Sequence, residues 1–465
     1  MGPVPWLVAI ALFMENLDAT IINTAVPNMA SSLGVEPLSL KAVLTSYPLS
    51  LAVFIPLSGW MADRFGTRRV FMAAIAFFIA GSLFCGLSGS IPCLVASRIL
   101  QGFGGALMVP VGRLTLVRTF PRSEMIRVLN YVVVPALIGP LLGPFLGGLI
   151  VHWTHWRVIF LINLPFGLVG LLLAARIMPD YRDASAPPLD RLGFVFFGAG
   201  TALISYVLEV FGEHSLPMSA IAGLLALSIL LLVVYGIHSR RTAAPLLALG
   251  LFRVRTFRVS VVGGFLTRLG VGGMPFLLPL LYQIGLGYAP WQAGLLTMPP
   301  AAAAIAMRAL NRPMLARFGH RRILLANTVL LGVTIAAFTQ VAIAVPVWII
   351  VILGCAQGFF SSLQFTSLNS LVYADVDDRE ASRASTISTA AQQMSMSFGV
   401  AAASLAVAAF LGPVNQHDPS QTIPALHKAF AWMGGLTLVS AGFFRLLHPD
   451  DGAAVSRFHE AAETA

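Results

Sequence analysis

Two carboxylates lie in the middle of the first apolar stretch of the chain. Glu15 and Asp18 fall between Trp6 and Val26, where most other residues are apolar. A charged side chain near the centre of a bilayer costs about 2.5 kcal/mol or more, so such acids face a cavity, a partner or a transported species. Three positions separate the two acids, which places them on the same face of a helix. The spacing therefore predicts a shared polar site on a membrane helix.

The composition is that of a polytopic helical membrane protein. The chain has 465 residues, of which 57% are hydrophobic and 10% charged, and its mean hydropathy is +0.84. Apolar blocks of about 18 or more residues, each long enough to cross a bilayer as a helix, recur along its whole length. The first block carries two acids and no preceding basic region, so we expect a retained first span and not a cleaved signal peptide.

Other function classes are disfavoured by what the chain lacks. The net charge of +10 comes from dispersed basic residues with no aromatic and basic patch, so no nucleic-acid partner is expected. Cys85, Cys93 and Cys355 are too few and too apolar in setting for a disulfide framework or a metal site. We find no phosphate-binding loop, metal-ligand cluster or soluble catalytic domain, which argues against an enzyme, a sensor or a nucleotide-driven pump.

The apolar blocks predict about fourteen membrane spans. Their centres fall near residues 17, 51, 79, 105, 138, 168, 200, 228, 268, 298, 332, 358, 398 and 438. Most of the 29 basic residues lie in connections after even-numbered spans or in the C-terminal tail. Because short cytoplasmic connections are enriched in Lys and Arg, both termini are predicted to be cytoplasmic.

A faint internal repeat suggests how the spans are organised. The sequence GTRR at 66–69 follows the second span, and GHRR at 319–322 follows the tenth. If two six-helix bundles are related, the second sequence comes two spans late, which is explained by a hairpin inserted at about 191–238. The predicted division is then an N-terminal bundle, a linker with the hairpin, a C-terminal bundle and a cytoplasmic tail, at 1–178, 179–256, 257–448 and 449–465. Transporters with such bundles bind their substrates near the midplane.

The connection after the second span carries the first recognisable motif. Residues 59–69 read GWMADRFGTRR and resemble the G-x-x-x-D-x-x-G-x-[RK]-[RK] signature of the major facilitator superfamily. The residues that match it are Gly59, Asp63, Gly66, Arg68 and Arg69. Gly66 permits a tight connection, and Asp63 can pair with an arginine at the cytoplasmic ends of the helices. In the second half the pattern departs from the signature, because Arg312 and Ala316 stand opposite Gly59 and Asp63.

Two further motifs of that superfamily follow. Residues 98–105, RILQGFGG, resemble R-x-x-Q-G-x-G-G, in which the arginine, here Arg98, is associated with proton transfer. The alternative is that Arg98 is an anchor near the outer end of its span. Residues 139–148, GPLLGPFLGG, resemble the antiporter motif G-x-x-x-G-P-x-x-G-G, which marks exporters. Glycines at every fourth position make a packing groove, and prolines favour a bend, so this helix is a candidate pivot, although a generic packing face is the alternative. The residues concerned are Gly139, Pro140, Gly143, Pro144 and Gly147.

Three more segments are similar to the fourteen-span drug:proton antiporter family. They are LDATIINTAVP at 17–27, WRVIFLINLPFG at 156–167 and LFRVRTFR at 251–258. The resemblance extends from about residue 6 to 450. It implies an all-α major facilitator fold, with two six-helix bundles and an inserted hairpin. It also implies a proton-coupled antiporter that exports small amphipathic or cationic molecules by alternating access, with no cofactor besides the proton gradient.

The resemblance and the burial of charge together nominate site residues. A carboxyl in a partly wet cavity near arginines can be poised to exchange a proton. We expect Asp18 to carry the proton, Glu15 to be a second acid or a determinant for cationic substrates, and Arg98 and Arg113 to modulate them. The alternative is that these acids only pair with the arginines to orient helices. Candidates to line the substrate cavity are Glu15, Asn23, Gln101, Asn163, Arg268, Gln283, Gln364, Asn369 and Gln392.

Alternatives to multidrug export remain open in the sequence. One is a proton-coupled metabolite transporter, including an importer or a dedicated exporter of an endogenous metabolite or siderophore, although the run at 139–148 argues against import. The expected partners are a small-molecule substrate, protons and the lipid bilayer, and the expected state is a monomer in the bacterial cytoplasmic (inner) membrane. Fold does not determine the substrate.

Overall fold

The computed structural model of the chain describes residues 2–183, 188–211, 216–377, 379–412 and 419–456. In these residues the regular secondary structure is helical, which confirms the predicted all-α class. The α-helices are α1 (Val4–Ile21), α2 (Val26–Leu33), α3 (Lys41–Phe65), α4 (Thr67–Leu87), α5 (Ile91–Thr119), α6 (Arg122–Trp153), α7 (Val158–Leu161), α8 (Asn163–Ile177), α9 (Arg191–Phe211), α10 (Met218–Arg241), α11 (Arg255–Gly272), α12 (Met274–Leu280), α13 (Pro290–Leu296), α14 (Met298–Ala337), α15 (Val347–Leu371), α16 (Ala381–Leu411), α17 (Pro419–Phe444) and α18 (Ala453–Ser456).

Twelve segments of the described chain are long and apolar enough to cross a membrane. One of them, Pro290–Gln340, has 51 residues, more than twice the roughly 20 that a single crossing needs. It turns at Gly319, whose φ of 73° is not helical, so its two arms are separate helices. The chain is therefore a multi-pass membrane protein, while the exact number of fourteen crossings stays a prediction.

Breaks in the spans coincide with residues that cannot continue a regular helix. The first span is interrupted by a 3-10 turn at Asn23–Ala25, which ends two positions before Pro27, a residue with no backbone N–H to donate. The span that begins with α11 continues through α12 into a π-helical turn at Leu281–Gly285. Such turns change the direction of side chains within a span.

The chain divides into two compact units. The first comprises residues 1–205, 224–235 and 288–295. In it α5 packs against α3 and α4, while α1 packs against α5, α6 and α8. A buried apolar cluster that includes Leu7, Tyr47, Phe71, Phe78 and Met108 fills the space between these helices.

The second unit comprises residues 206–223, 236–287 and 296–465. Its helix α11 packs against α16 and α17, and α14 packs against α15 and α17. Val259, Leu324, Leu368 and Phe444 are in its buried apolar cluster.

Helices α9 and α10 lie at the position of the predicted hairpin. Ser228 on α10 donates a hydrogen bond to the carbonyl oxygen of Gly200 on α9 at 2.8 Å, which joins the two helices. The four domain boundaries that we drew from the sequence stay a prediction, and residues 457–465 of the predicted tail lie outside the described residues.

Candidate functional site

Asp18 lies at the centre of a buried hydrogen-bond network in the first unit. Arg98 donates from Nη1 to Oδ2 of Asp18 at 2.6 Å. Gln101 and Asn163 each donate from the side-chain amide to Oδ1, at 2.8 and 2.7 Å. Both amides also donate to the hydroxyl of Ser82, at 2.7 and 3.3 Å. These five residues, which we call the Asp18 network, join α1, α4, α5 and α8.

The Asp18 network is shielded from solvent. Asp18 and Arg98 are each 1% exposed, and Gln101, Asn163 and Ser82 are fully buried. Taking two charges out of water costs several kcal/mol per ion, and mutual attraction offsets this only when the remaining polar atoms are also bonded. Here both carboxylate oxygens accept hydrogen bonds from charged or amide donors. Asp18 is therefore compensated directly, whereas Nε of Arg98 and Oδ1 of Asn163 are buried without a hydrogen-bond partner among the described residues.

Aromatic rings surround the guanidinium of Arg98. Its Cζ lies 4.3 Å from the centroid of the Tyr47 ring and 5.9 Å from that of Phe160. A cation over an aromatic face in a desolvated site gains about 2 kcal/mol. The sequence left open whether Arg98 is an anchor near the end of its span. The structure places its side chain inside the unit, paired with Asp18.

Glycines of the motif at 98–105 let neighbouring helices reach the network. A Cβ atom on Gly102 would lie 2.9 Å from the carbonyl oxygen of Tyr47, and one on Gly104 would lie 2.6 Å from that of Ala74. Real Cβ atoms essentially never approach a backbone atom so closely. Gly102 therefore permits α3 to place Tyr47 beside Arg98, and Gly104 permits α4 to pack closely on α5. On α4 itself, Gly81 similarly approaches the backbone of Gln101, next to Ser82.

Glu15 has a different environment from Asp18. Its Oε2 atom is buried and has no hydrogen-bond partner. The charges that act on Glu15 are those of Arg113 and Asp18. Arg113 is exposed on α5, and no hydrogen bond or ion pair joins it to Glu15 among the described residues. Glu15 is thus the acid of this pair whose charge lacks direct compensation.

The glycine and proline run of α6 packs on the helix that carries both acids. Gly139 faces the backbone of Leu17, Gly143 faces the side chain of Thr20, and Gly147 faces the backbone of Ile21. Thr20 donates a hydrogen bond to the carbonyl oxygen of Gly139 at 3.4 Å. The groove predicted from the spacing of these glycines therefore receives α1.

Pro140 and Pro144 lie inside the same α6 helix. Thr24, which follows α1, donates to the carbonyl oxygen of Pro144 at 3.0 Å. The contacts on both sides of Asp18 tie its helix to the bend-prone segment of α6.

The loop motif at 59–69 contacts Arg118 through an ion pair. It also contacts residues 178–183, a segment that follows α8 and that we call the strap. Asp63 accepts a hydrogen bond from Nη2 of Arg118 at 2.7 Å. Arg68 donates from its backbone N–H to Asp180 at 3.2 Å and from Nε to the carbonyl oxygen of Met178 at 2.6 Å. The predicted pairing of Asp63 with an arginine is therefore observed. The strap is an additional partner that the sequence did not indicate.

The glycines and remaining arginine of this motif differ in their surroundings. Gly66 has a φ of 98°, which favours glycine, and Asp180 occupies the space where a side chain would lie. Gly59 has nothing within 4 Å of an added Cβ atom. Arg69 is exposed. Nothing in the structure explains a requirement for glycine at position 59.

The other predicted cavity residues are dispersed. Gln364 is fully buried, and its amide is bonded to Thr328 and Asn327 of α14 at 2.8 and 2.9 Å, so it bridges two helices. Asn369 is exposed, whereas Asn23, Gln283 and Gln392 are half-buried. Arg268 is buried in the second unit, where its guanidinium lies 4.8 Å from the ring centroid of Phe365. The structure thus joins Gln101 and Asn163 to Asp18 in the first unit, whereas Arg268, Gln364 and Gln392 belong to the second unit.

Sequence reasoning missed Ser82 and Tyr47. Ser82 is one serine within the apolar span of α4, and Tyr47 is one aromatic residue among many. No local pattern distinguishes either of them. Their places depend on the close helix approaches at Gly81, Gly102 and Gly104, which become visible only in three dimensions. Among the described residues, no group of three or more His, Cys, Asp or Glu side chains is placed to hold a metal ion.

Known proteins provide independent evidence of family. The family model of the Major Facilitator Superfamily matches residues 8–325 and 260–464. Proteins named "Putative multidrug resistance protein MdtD" are similar along most of the chain. The one from Serratia proteamaculans (strain 568) is 39% identical over 92% of this chain and 88% of its own length. The one from Escherichia coli O157:H7 (strain EC4115 / EHEC) is 38% identical over 98% of each chain.

Solved transporter structures share the fold at low sequence identity. The POT family transporter PepTSo superposes with a TM-score of 0.71 at 14% identity, covering 99% of both chains. A bacterial homolog of the human lysosomal transporter Spinster, in an inward-facing and unoccupied conformation, gives a TM-score of 0.62 at 15% identity over 98% of this chain and 96% of that one. These likenesses concern the fold alone. The family model and the relatives of nearly 40% identity show that the chain belongs to the Major Facilitator Superfamily, whose members are transporters and not enzymes.

Proposed function

We propose that this protein is a proton-coupled antiporter that exports small organic molecules, as in multidrug efflux, by alternating access. The observation that carries the proposal is the buried pair of Asp18 and Arg98, 2.6 Å apart, on helices of the first unit. A charge pair inside a membrane bundle is costly, and such residues commonly mark ion or proton pathways. The relatives named as multidrug resistance proteins support a drug or drug-like substrate.

The proton would act by opening and closing the Asp18 network. Protonation of Asp18 removes the negative charge that Arg98, Gln101 and Asn163 contact, and it weakens all three hydrogen bonds at once. Loss of the proton restores them. The helix that carries Asp18, α1, also packs on the glycine and proline run of α6. Altered hydrogen bonds of Asp18 would therefore move α1 against a helix that its prolines predispose to bend. Such a network is a two-state element whose equilibrium a proton can shift.

The proposed setting follows from the distribution of charge. Basic connections after even-numbered spans support cytoplasmic termini, and the bacterial relatives support the cytoplasmic (inner) membrane. Within that membrane a monomer with two helical bundles suffices for alternating access. No cofactor is required besides the proton gradient.

The test is transport into inside-out vesicles from a strain that lacks its major efflux pumps. A panel of cationic, zwitterionic and anionic dyes and drugs is offered, and the vesicle interior is acidified. Wild-type protein should load the vesicles with at least one member, and collapse of the proton gradient should abolish loading. Asp18→Asn should also abolish it, whereas Asp377→Asn, an exposed acid changed in the same way, should retain it.

Each failure has a distinct meaning. Loading that persists in Asp18→Asn after collapse of the gradient contradicts proton-coupled export. Accumulation of the same compounds in right-side-out vesicles or whole cells indicates import instead.

A further inference from the structure

Arg268 is a buried cation of the second unit for which the described residues provide no counter-ion. It lies on α11 and is 4% exposed. Its Nε and Nη2 atoms are buried and have no hydrogen-bond partner. Among the described residues it also takes part in no ion pair. A buried guanidinium needs an anionic partner, and the described residues provide no acid in that place.

The two donors that lack partners belong to the same edge of the guanidinium. Nε–H and Nη2–H point in parallel and fit both oxygens of a carboxylate. The same chain shows this geometry elsewhere, because Arg255 donates from Nε and Nη2 to the two carboxylate oxygens of Asp451 at 3.0 and 2.6 Å. In Arg268 the corresponding edge is buried and unbonded.

The rest of the guanidinium is fixed in place. Its Cζ lies 4.8 Å from the centroid of the Phe365 ring on α15. One helical turn earlier on α11, a Cβ atom on Gly264 would lie 2.9 Å from Nη1, so the glycine permits the side chain to lie along its own helix. Phe365 and Gly264 therefore orient the guanidinium, and its Nε and Nη2 edge is left without a protein partner among the described residues.

The free-energy cost of burying the Arg268 guanidinium is larger than the gain from its aromatic contact, which favours an anion beside it. Burying a guanidinium costs several kcal/mol after relaxation, whereas a desolvated cation and π contact returns about 2 kcal/mol. The arginine of the first unit resolves the same problem with Asp18, at 2.6 Å, in addition to the Tyr47 ring. Arg268 has the ring without the carboxylate.

We propose that Arg268 binds a carboxylate of the transported molecule, so that the substrates include organic acids or zwitterions and not only cations. The inference rests on the proposed export function, whose substrate class it refines. Arg268 acts as a binding residue, because its side-on fork recognises a planar carboxylate and a neutral ester lacks the second negatively charged oxygen.

The probes are rhodamine B, which carries a carboxylate, and its ethyl ester, which shares the same fluorophore without that charge. Binding of each dye to purified protein in nanodiscs is measured by fluorescence anisotropy, and loading of each dye is measured in acidified inside-out vesicles. The variants are Arg268→Gln and Arg268→Lys. The control is Arg258→Gln, which makes the same change at an exposed position of the same helix.

We expect Arg268→Gln to weaken binding of the acid about tenfold, the equivalent of one lost charge-assisted contact. Binding of the ester should change less than about twofold, which also shows that the variant is folded. Arg268→Lys should be intermediate, because it keeps the charge and loses the fork. Arg258→Gln should match wild type with both dyes.

Equal losses with both dyes, or no loss with the acid, overturn the inference. The binding and transport measurements separate it from the proposed function. Arg268-dependent binding of the acid without gradient-driven loading of either dye contradicts export and supports the binding site. Gradient-driven loading of the ester, with acid binding unaffected by Arg268→Gln, supports export and contradicts the site.

Discussion

Glu15 lies one helical turn before Asp18 on α1, yet only Asp18 has its charge compensated. Asp18 accepts hydrogen bonds from Arg98, Gln101 and Asn163 at 2.6, 2.8 and 2.7 Å. Glu15 has a buried carboxylate oxygen with no partner. The helices around α1 thus give two acids on one helical face different chemical surroundings. Asp18 is part of a charge network, whereas Glu15 is available to a proton or to a cationic group of a substrate.

Arg98→Gln should destabilise the protein, since it leaves the buried carboxylate of Asp18 uncompensated. Removal of one partner of a buried ion pair costs about 3–5 kcal/mol. The double variant Asp18→Asn with Arg98→Gln contains neither charge, so its thermal unfolding midpoint in detergent should lie closer to wild type than that of Arg98→Gln. Transport should be lost in both. A thermal unfolding midpoint of the double variant below that of Arg98→Gln would show that Asp18 and Arg98 do not stabilise the protein as a pair.

Glu15→Gln should lower the thermal unfolding midpoint less than Arg98→Gln does, because no hydrogen bond to the buried Oε2 is lost. If Glu15 attracts cationic substrates, export of the ethyl ester of rhodamine B should fall about tenfold, and export of rhodamine B should fall less. Glu36→Gln, the same change at an exposed position, is the matched control. Equal loss with both dyes would assign Glu15 to proton coupling instead of substrate choice.

The fold was largely predictable from the sequence because hydrophobic length and dispersed basic residues are strong local signals in membrane proteins. The motif at 59–69 predicted a tight turn and an acid paired with arginine, and Gly66 and the Asp63–Arg118 pair agree with it. The strap that bonds to Arg68 was not predictable. Its contacts are made by backbone atoms of Met178 and by Asp180, which lie more than a hundred positions away in sequence.

The site was predictable only in part. Asp18, Arg98, Gln101 and Asn163 were all nominated individually, because charged and amide side chains stand out in apolar spans and Arg98 and Gln101 also fall in a motif. Their assembly into one network was not, since it depends on how closely four helices approach each other. Ser82 completes the network from a position that no motif distinguishes. Conversely, Gln364 was an equally good candidate in sequence, and the structure has its amide bonded to α14.

Gly147→Ala should impair both stability and transport. An added Cβ atom would overlap the carbonyl oxygen of Ile21 and lie 2.7 Å from Oγ1 of Thr24, so α1 and α6 would have to separate. Overpacking of this kind costs about 1–3 kcal/mol. Gly223→Ala is the control, because nothing lies within 4 Å of its added Cβ atom and alanine favours a helix. Thermal unfolding and vesicle loading should both distinguish the two variants. Equal unfolding midpoints and equal loading would show that the close contact of Gly147 with α1 determines neither stability nor transport.

The tail of the second unit should be held in place across the physiological pH range by Asp451. Its carboxylate accepts hydrogen bonds from Arg255 at 3.0 and 2.6 Å and from the backbone N–H of His448 at 2.8 Å. Burial alone would raise the pKa of Asp451, but these hydrogen bonds and the charge of Arg255 outweigh it and hold the pKa below its ordinary value of 3.8. Because the pKa is lower in the folded protein than in the unfolded one, the stabilisation is complete well above pH 3.8 and is lost as the pH falls through the lowered value.

Amide hydrogen exchange of residues 448–456, corrected for its intrinsic pH dependence, should therefore show equal protection at neutral and mildly acidic pH. Asp451→Asn should remove that protection throughout. If the wild-type protection already declines in mildly acidic solution, the interaction that keeps residues 448–456 in place is made by a histidine and not by Asp451.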